Sequence, residues 1–63
     1  MRGTYYKGMR IVTYASGSGD LWCRWGSVHK RIFARREDGK PFNPKLLKLA
    51  EEEMAKHLKK VGY

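Results

Sequence analysis

The spacing of apolar residues changes at Asn43, and that change constrains the architecture more than any other feature of the chain. From there on Leu46, Leu47, Ala50, Met54, Leu58 and Val61 recur at helical spacing. At 100° per residue they fall within about one third of a helix circumference, with Lys45, Lys48, Glu52, Lys56, Lys59 and Lys60 outside that stripe. Asn43 can cap such a helix, and Pro44 suits its first position, where the missing N–H costs no hydrogen bond. The spacing predicts one amphipathic C-terminal helix that lays its apolar stripe on a partner layer.

That partner is written in the first forty or so residues. Tyr5 to Ala15 is rich in Tyr, Val, Ile and Thr, which suits a first strand. Ser16-Gly17-Ser18-Gly19-Asp20 then reads as a loose turn. Leu21 to Trp25 and Val28 to Arg36 are two further runs separated by Gly26-Ser27, and Gly at the first position of a two-residue loop marks a type II′ hairpin. This register pairs Trp25 with Val28, Arg24 with His29, Cys23 with Lys30, Trp22 with Arg31 and Leu21 with Ile32. Opposed residues share a face, so Leu21, Cys23, Trp25, Val28, Ile32 and Ala34 form a core face interrupted by Lys30. Trp22, Arg24, His29, Arg31, Phe33 and Arg35 form the opposite, cationic and aromatic one. Glu37-Asp38-Gly39-Lys40 is a further turn with the Asp-Gly pair favoured in type I′ geometry, and Pro41 opposes a long fourth strand.

The expected fold class is therefore α+β: a three-stranded antiparallel sheet packed against one C-terminal α-helix, β-β-β-α, with residues 1–63 as a single small basic domain. At 63 residues there is room for one core only, and 41% hydrophobic residues suffice to fill it. Cys23 is the sole cysteine, so no internal disulfide can reinforce the domain, and self-association stays open as a route to stability. A lone Cys in an apolar strand reads as a small buried hydrophobe in a reducing compartment. No apolar stretch approaches the roughly 18 residues of a membrane span, and Met1-Arg2-Gly3 leads into polar-interrupted sequence rather than a signal-peptide core. The expectation is a cytoplasmic protein without a membrane partner.

Catalytic patterns are missing from this reading. His29 and His57 stand 28 positions apart with no second Cys, which supports neither a zinc site nor a Cys-His nucleophile. Glu51-Glu52-Glu53 point in successive directions around a helix and read as solvated surface. Gly17-Ser18-Gly19 lacks the following Lys and helix of a phosphate loop. The expectation is a protein that is not an enzyme and takes no metal or cofactor.

Charge points instead to an anionic partner. Fourteen Lys and Arg stand against six Asp and Glu, a formal +8 that concentrates polyanions near the protein. Nine of the cations and three of the acids lie in residues 1–43, leaving +6 there and +2 in residues 44–63. The sheet half is thus the expected binding surface, with Arg24, Arg31 and Arg35 interleaved with Trp22 and Phe33 for phosphate contact and base stacking, and with Lys7 and Arg10 extending the patch. The leading expectation is a nucleic-acid-binding module, DNA ahead of RNA. The alternative is a protein-interaction or homodimerisation module in which Trp22, Phe33 and Tyr14 meet a partner and the basic surface only solubilises.

Tyr6-Lys7-Gly8-Met9-Arg10 resembles the aromatic, basic, Gly, apolar, Arg opening of AP2-like domains, and Leu21 to Trp25 stands where those domains carry a Trp-bearing second strand. The likeness, shared with integrase arm-binding domains, spans residues 5–61, although the helix opens with Phe42-Asn43-Pro44-Lys45 instead of that family's Thr and acidic pattern. The resemblance implies DNA read by a sheet lying in the major groove. Arg24, Arg31 and Arg35 would then face DNA, with Trp22 and Phe33 packing on sugars or bases. Small phage and bacterial proteins with a similar Tyr-Lys-Gly strand are the expected setting.

Overall fold

The computed structural model describes residues 3–63; Met1 and Arg2, and with them most of the N-terminal tripeptide considered above, lie outside the described residues. The element order is β1 (Tyr5–Tyr6), β2 (Met9–Arg10), β3 (Val12–Ala15), β4 (Leu21–Trp25), β5 (Val28–Phe33) and α1 (Pro44–Val61). A small α+β fold results, with β3, β4 and β5 forming an antiparallel three-stranded sheet in that order and α1 packed across all three strands.

The expected first strand, Tyr5 to Ala15, is not continuous. Lys7 and Gly8 both take positive φ, 51° and 80°, which is the type I′ requirement. The chain therefore folds back on itself, pairing Tyr5 with Arg10 and Tyr6 with Met9 in a separate two-stranded hairpin. Ile11 leaves that hairpin by donating its N–H to the Thr4 carbonyl (2.9 Å) and buries its side chain completely. The hairpin is fastened to the sheet by aromatics. Trp25 Nε1 donates to the Tyr6 carbonyl (3.0 Å), and the Tyr6 and Tyr63 rings meet Trp25 edge-on at 5.5 and 5.7 Å. The Tyr6 hydroxyl donates to the Tyr63 carbonyl.

The turn at Gly26-Ser27 has positive φ only at Gly26 (61°), as type II′ geometry demands. The register it sets, Trp25 opposite Val28 through Trp22 opposite Arg31, is the one expected. At the far end the pairing slips: Leu21 stands opposite Phe33, not Ile32, because a bulge inserts one residue there. Ile32 and Phe33 consequently both pack against the core beneath the helix.

The five-residue turn is tied rather than loose. Ser16 N–H reaches the Asp20 carbonyl and Gly19 N–H the Ser16 carbonyl, both at 2.9 Å, while the Ser18 hydroxyl donates to Asp20 Oδ2 (3.1 Å). The later turn also differs from expectation. Gly39 N–H bonds the Arg36 carbonyl (3.2 Å) and Asp38 keeps negative φ, so Glu37 and Asp38 are the central pair and the type I′ form is excluded.

The helix begins and ends where its sequence directs. Asn43 Oδ1 accepts from Leu46 N–H (2.9 Å). Gly62, at φ 93°, closes a Schellman cap in which Gly62 N–H meets the Lys59 carbonyl (3.3 Å) and Tyr63 N–H the Leu58 carbonyl (3.0 Å). Ala50, Met54 and Leu58 are buried against Ile11, Leu21 and Cys23. Val61, expected on the same stripe, is half exposed at 51%. Glu51 is not free surface: its Oε1 accepts from Thr4 N–H (3.0 Å), joining the helix to the N-terminal hairpin.

Candidate functional site

Along its principal axes the backbone of the described residues extends 34 × 25 × 16 Å. With layers about 10 Å apart, the short dimension accommodates the sheet and one helix and, among the described residues, no third layer. One face of the sheet is therefore open. Cross-strand pairing assigns two rows to it: Val12, Arg24 and His29 in one, Tyr14, Trp22 and Arg31 in the other.

Tyr14 organises this face. Its ring stacks on Trp22 at 6.4 Å and 24°, and its hydroxyl hydrogen-bonds His29 Nδ1 at 3.0 Å. A side chain rooted on β3 thus reaches β5 across the whole of β4. Trp22 beneath it is half-buried, and among the described residues its indole N–H is enclosed without an acceptor. Arg24 is exposed. Arg31 keeps 59% of its side chain exposed and approaches Asp20 Oδ2 only to 3.8 Å, a contact too long and too solvated to hold the guanidinium down.

Asp20 stands at the edge of this face as a latch. Its Oδ1 accepts from Arg35 N–H (2.8 Å), and this bond leads the Ser18 hydroxyl and the nearby Arg31 and Arg35 charges in holding the carboxyl below its ordinary range, against a smaller opposing effect of partial desolvation. The chain after β5 is thereby pinned to the β3–β4 turn, which places Arg35 at the rim of the open face, with its Cβ beside Gly19.

The expected site residues are thus divided. Trp22, Arg24 and Arg31 share the open face and Arg35 borders it. Phe33 is a correction: the bulge turns it to the helix side, where it packs against the core and stacks with Phe42 at 6.4 Å and 21°. Lys7 sits on the tip of the N-terminal hairpin with its ammonium 5.8 Å from the Tyr6 ring centroid. Arg10 lines a groove with Lys48 and Glu51 along the helix. Neither Lys7 nor Arg10 belongs to the two rows that carry Arg24 and Arg31. His29 falls on the face expected for it, and Tyr14, expected only in a protein-partner patch, joins it there; neither was among the expected nucleic-acid contacts, although a five-residue turn at Ser16–Asp20 sets Ala15 against Leu21 and hence Tyr14 against Trp22.

Among the described residues no three His, Cys, Asp or Glu side chains lie together in a way that could hold a metal, and no helix is long and apolar enough to cross a membrane. Cys23 is buried with its Sγ 3.5 Å from the Ala50 carbonyl. Burial, with a smaller contribution from Glu51, pushes its thiol up to about 11, which makes it a packing group rather than a nucleophile. The fold and site define a small helix-backed antiparallel sheet with one open face of cations and aromatics. No family model, curated protein or solved structure matches the chain.

Proposed function

We propose that this chain binds nucleic acid, DNA ahead of RNA, through the open face of the β3–β5 sheet. The observation that carries the reading is the convergence of Arg24 and Arg31 with the stacked Tyr14 and Trp22 on one uncovered surface of a protein with net charge +8. Guanidinium forks match phosphate oxygens, and aromatic faces pack on sugars or bases. The arginines anchor the backbone, and Tyr14 and Trp22 supply the stacking surface. The AP2-like resemblance supports the same arrangement, with the sheet approaching the major groove. Arg35 adds a third cation at the rim.

The test is fluorescence anisotropy with labelled duplex DNA, single-stranded DNA and RNA across a salt series. Two or three phosphate contacts give a log–log salt slope of about −2 to −3. The Arg24/Arg31/Arg35 triple alanine variant should fold and lose that binding. Absence of binding at low salt would remove the reading.

A protein-interaction or homodimer reading has its own observation: Val12 and Tyr14 expose 38% and 37% of their surface on the same face. Sedimentation showing a monomer at high micromolar concentration would exclude the homodimer form.

A further inference from the structure

Next to the open face, the β3–β4 turn and the segment leading into α1 enclose a groove of about 630 Å³. Leu21, Leu47, Pro41 and Phe42 line it, with Arg35 and Lys40 among its cations. Among the described residues no carboxylate lines it. Its third cation, Arg36, is committed to structure: Nη1 donates to the Pro41 carbonyl (3.2 Å) and Nη2 to Asp38 Oδ2 (2.7 Å). Lys40 N–H adds a bond to Asp38 Oδ1 (3.0 Å). One wall is thus held in place, while among the described residues the Arg35 and Lys40 side chains have no hydrogen-bond or ion-pair partner. An apolar lining with uncommitted cations and no acid selects a ligand with a flat apolar body and an anionic tail, and the volume lies in the range of small-molecule pockets. Tyr14, whose ring stacks on Trp22 of the open face, is also among the lining residues, with Thr13 and Ala15 of the same strand, so the groove adjoins that face at β3.

We infer that this groove takes one unstacked nucleotide of a single strand, its base against Phe42 and Leu47 and its phosphate between Arg35 and Lys40. The inference rests on the nucleic-acid reading of the sheet face and adds to it a preference for single strands, because a base held in a duplex must first leave its stack and pair to enter the groove.

The experiment compares anisotropy of a labelled oligothymidylate with that of a duplex of equal length, using the wild type, Lys40→Glu, Gly17→Trp and Arg24→Ala/Arg31→Ala. Gly17 lines the groove, has open space around it and does not need positive φ, so a bulky side chain fits there without straining the turn. Thermal melts confirm that each variant folds. The expected result is single-strand binding about tenfold tighter than duplex binding, reduced about tenfold by Lys40→Glu and by Gly17→Trp, with duplex binding unchanged by Gly17→Trp. Equal affinity for both forms, untouched by the groove variants but lost in Arg24→Ala/Arg31→Ala, overturns the groove and leaves the sheet face standing. No binding of either nucleic acid overturns both.

Discussion

Replacing Met54 by Ala tests the whole packing scheme at its centre. Met54 is fully buried, one helical turn from Ala50 and from Leu58, in a core whose other fully enclosed members are Ile11, Leu21 and Cys23. Truncating a buried Met to Ala removes its transfer energy and leaves a cavity, a cost of about 2–5 kcal/mol. A domain of this length has roughly 3–9 kcal/mol in total, so a mid-range loss of about 3 kcal/mol consumes a third or more of it. At about 4–8 °C per kcal/mol, a 3 kcal/mol loss lowers Tm by about 12–24 °C. Leu49 is the internal control, because it is on the same helix but 42% exposed. Leu49→Ala should stay within about 0.5 kcal/mol of the wild type, since surface changes cost little and Ala favours the helix. Far-ultraviolet circular dichroism melts and urea titrations read both variants. A Met54→Ala protein that melts within a few degrees of the wild type, or equal losses in the two variants, refutes the docking of α1 on the sheet.

Phe33→Ala should destabilise the fold, by about 1–3 kcal/mol for a partly buried aromatic, because its ring rests on Phe42 beneath the sheet; a variant of wild-type stability with weakened nucleic-acid binding would return Phe33 to the open face. Asn43→Ala removes the side-chain acceptor at Leu46 N–H and should cost about 1 kcal/mol, read as a lower urea midpoint; an unchanged midpoint would show that the cap contributes nothing. The Cys23 thiol is raised from 9.0 to about 11 by burial, so its contribution to stability is complete below pH 9 and is lost as pH rises through 11. Urea midpoints should therefore fall more steeply over that window in the wild type than in Cys23→Ala, and native Cys23 should resist alkylation near neutral pH; matching slopes would contradict the burial argument.

Local rules account for most of the fold because most of its decisions are local. Asn43-Pro44 starts and Gly62 stops one helix, and Gly26-Ser27 sets one register, each through a few neighbouring dihedrals or hydrogen bonds. The division of Tyr5 to Ala15 had a weaker signal. Lys7-Gly8 became a type I′ turn although Lys is a poor occupant of positive φ. What stabilises that turn is distant in sequence: Trp25 and Tyr63 closing on Tyr6, and Glu51 accepting from Thr4. A strand composition that ignores those partners runs straight through it.

The site was legible to the same depth, and it failed at the same kind of place. Alternation from Gly26-Ser27 correctly assigns Trp22, Arg24, His29 and Arg31 to one face, because each step depends only on the one before. A single inserted residue cancels that logic beyond it, since a slip of one position exchanges the faces. The bulge at Ile32 therefore removes Phe33 from the patch and gives it to the core. The reason is apolar area: two consecutive large hydrophobics, Ile32 and Phe33, both find burial under α1 only if the strand bulges, and strict alternation would have left one of them in water. Arg31 precedes the bulge and keeps its outward direction. Arg35 follows it, and its position is set by the Asp20 latch rather than by alternation. The arginine that lies beyond the regular sheet is thereby delivered to the junction of the open face and the groove, a placement that depends on a hydrogen bond spanning 15 residues and on no periodicity.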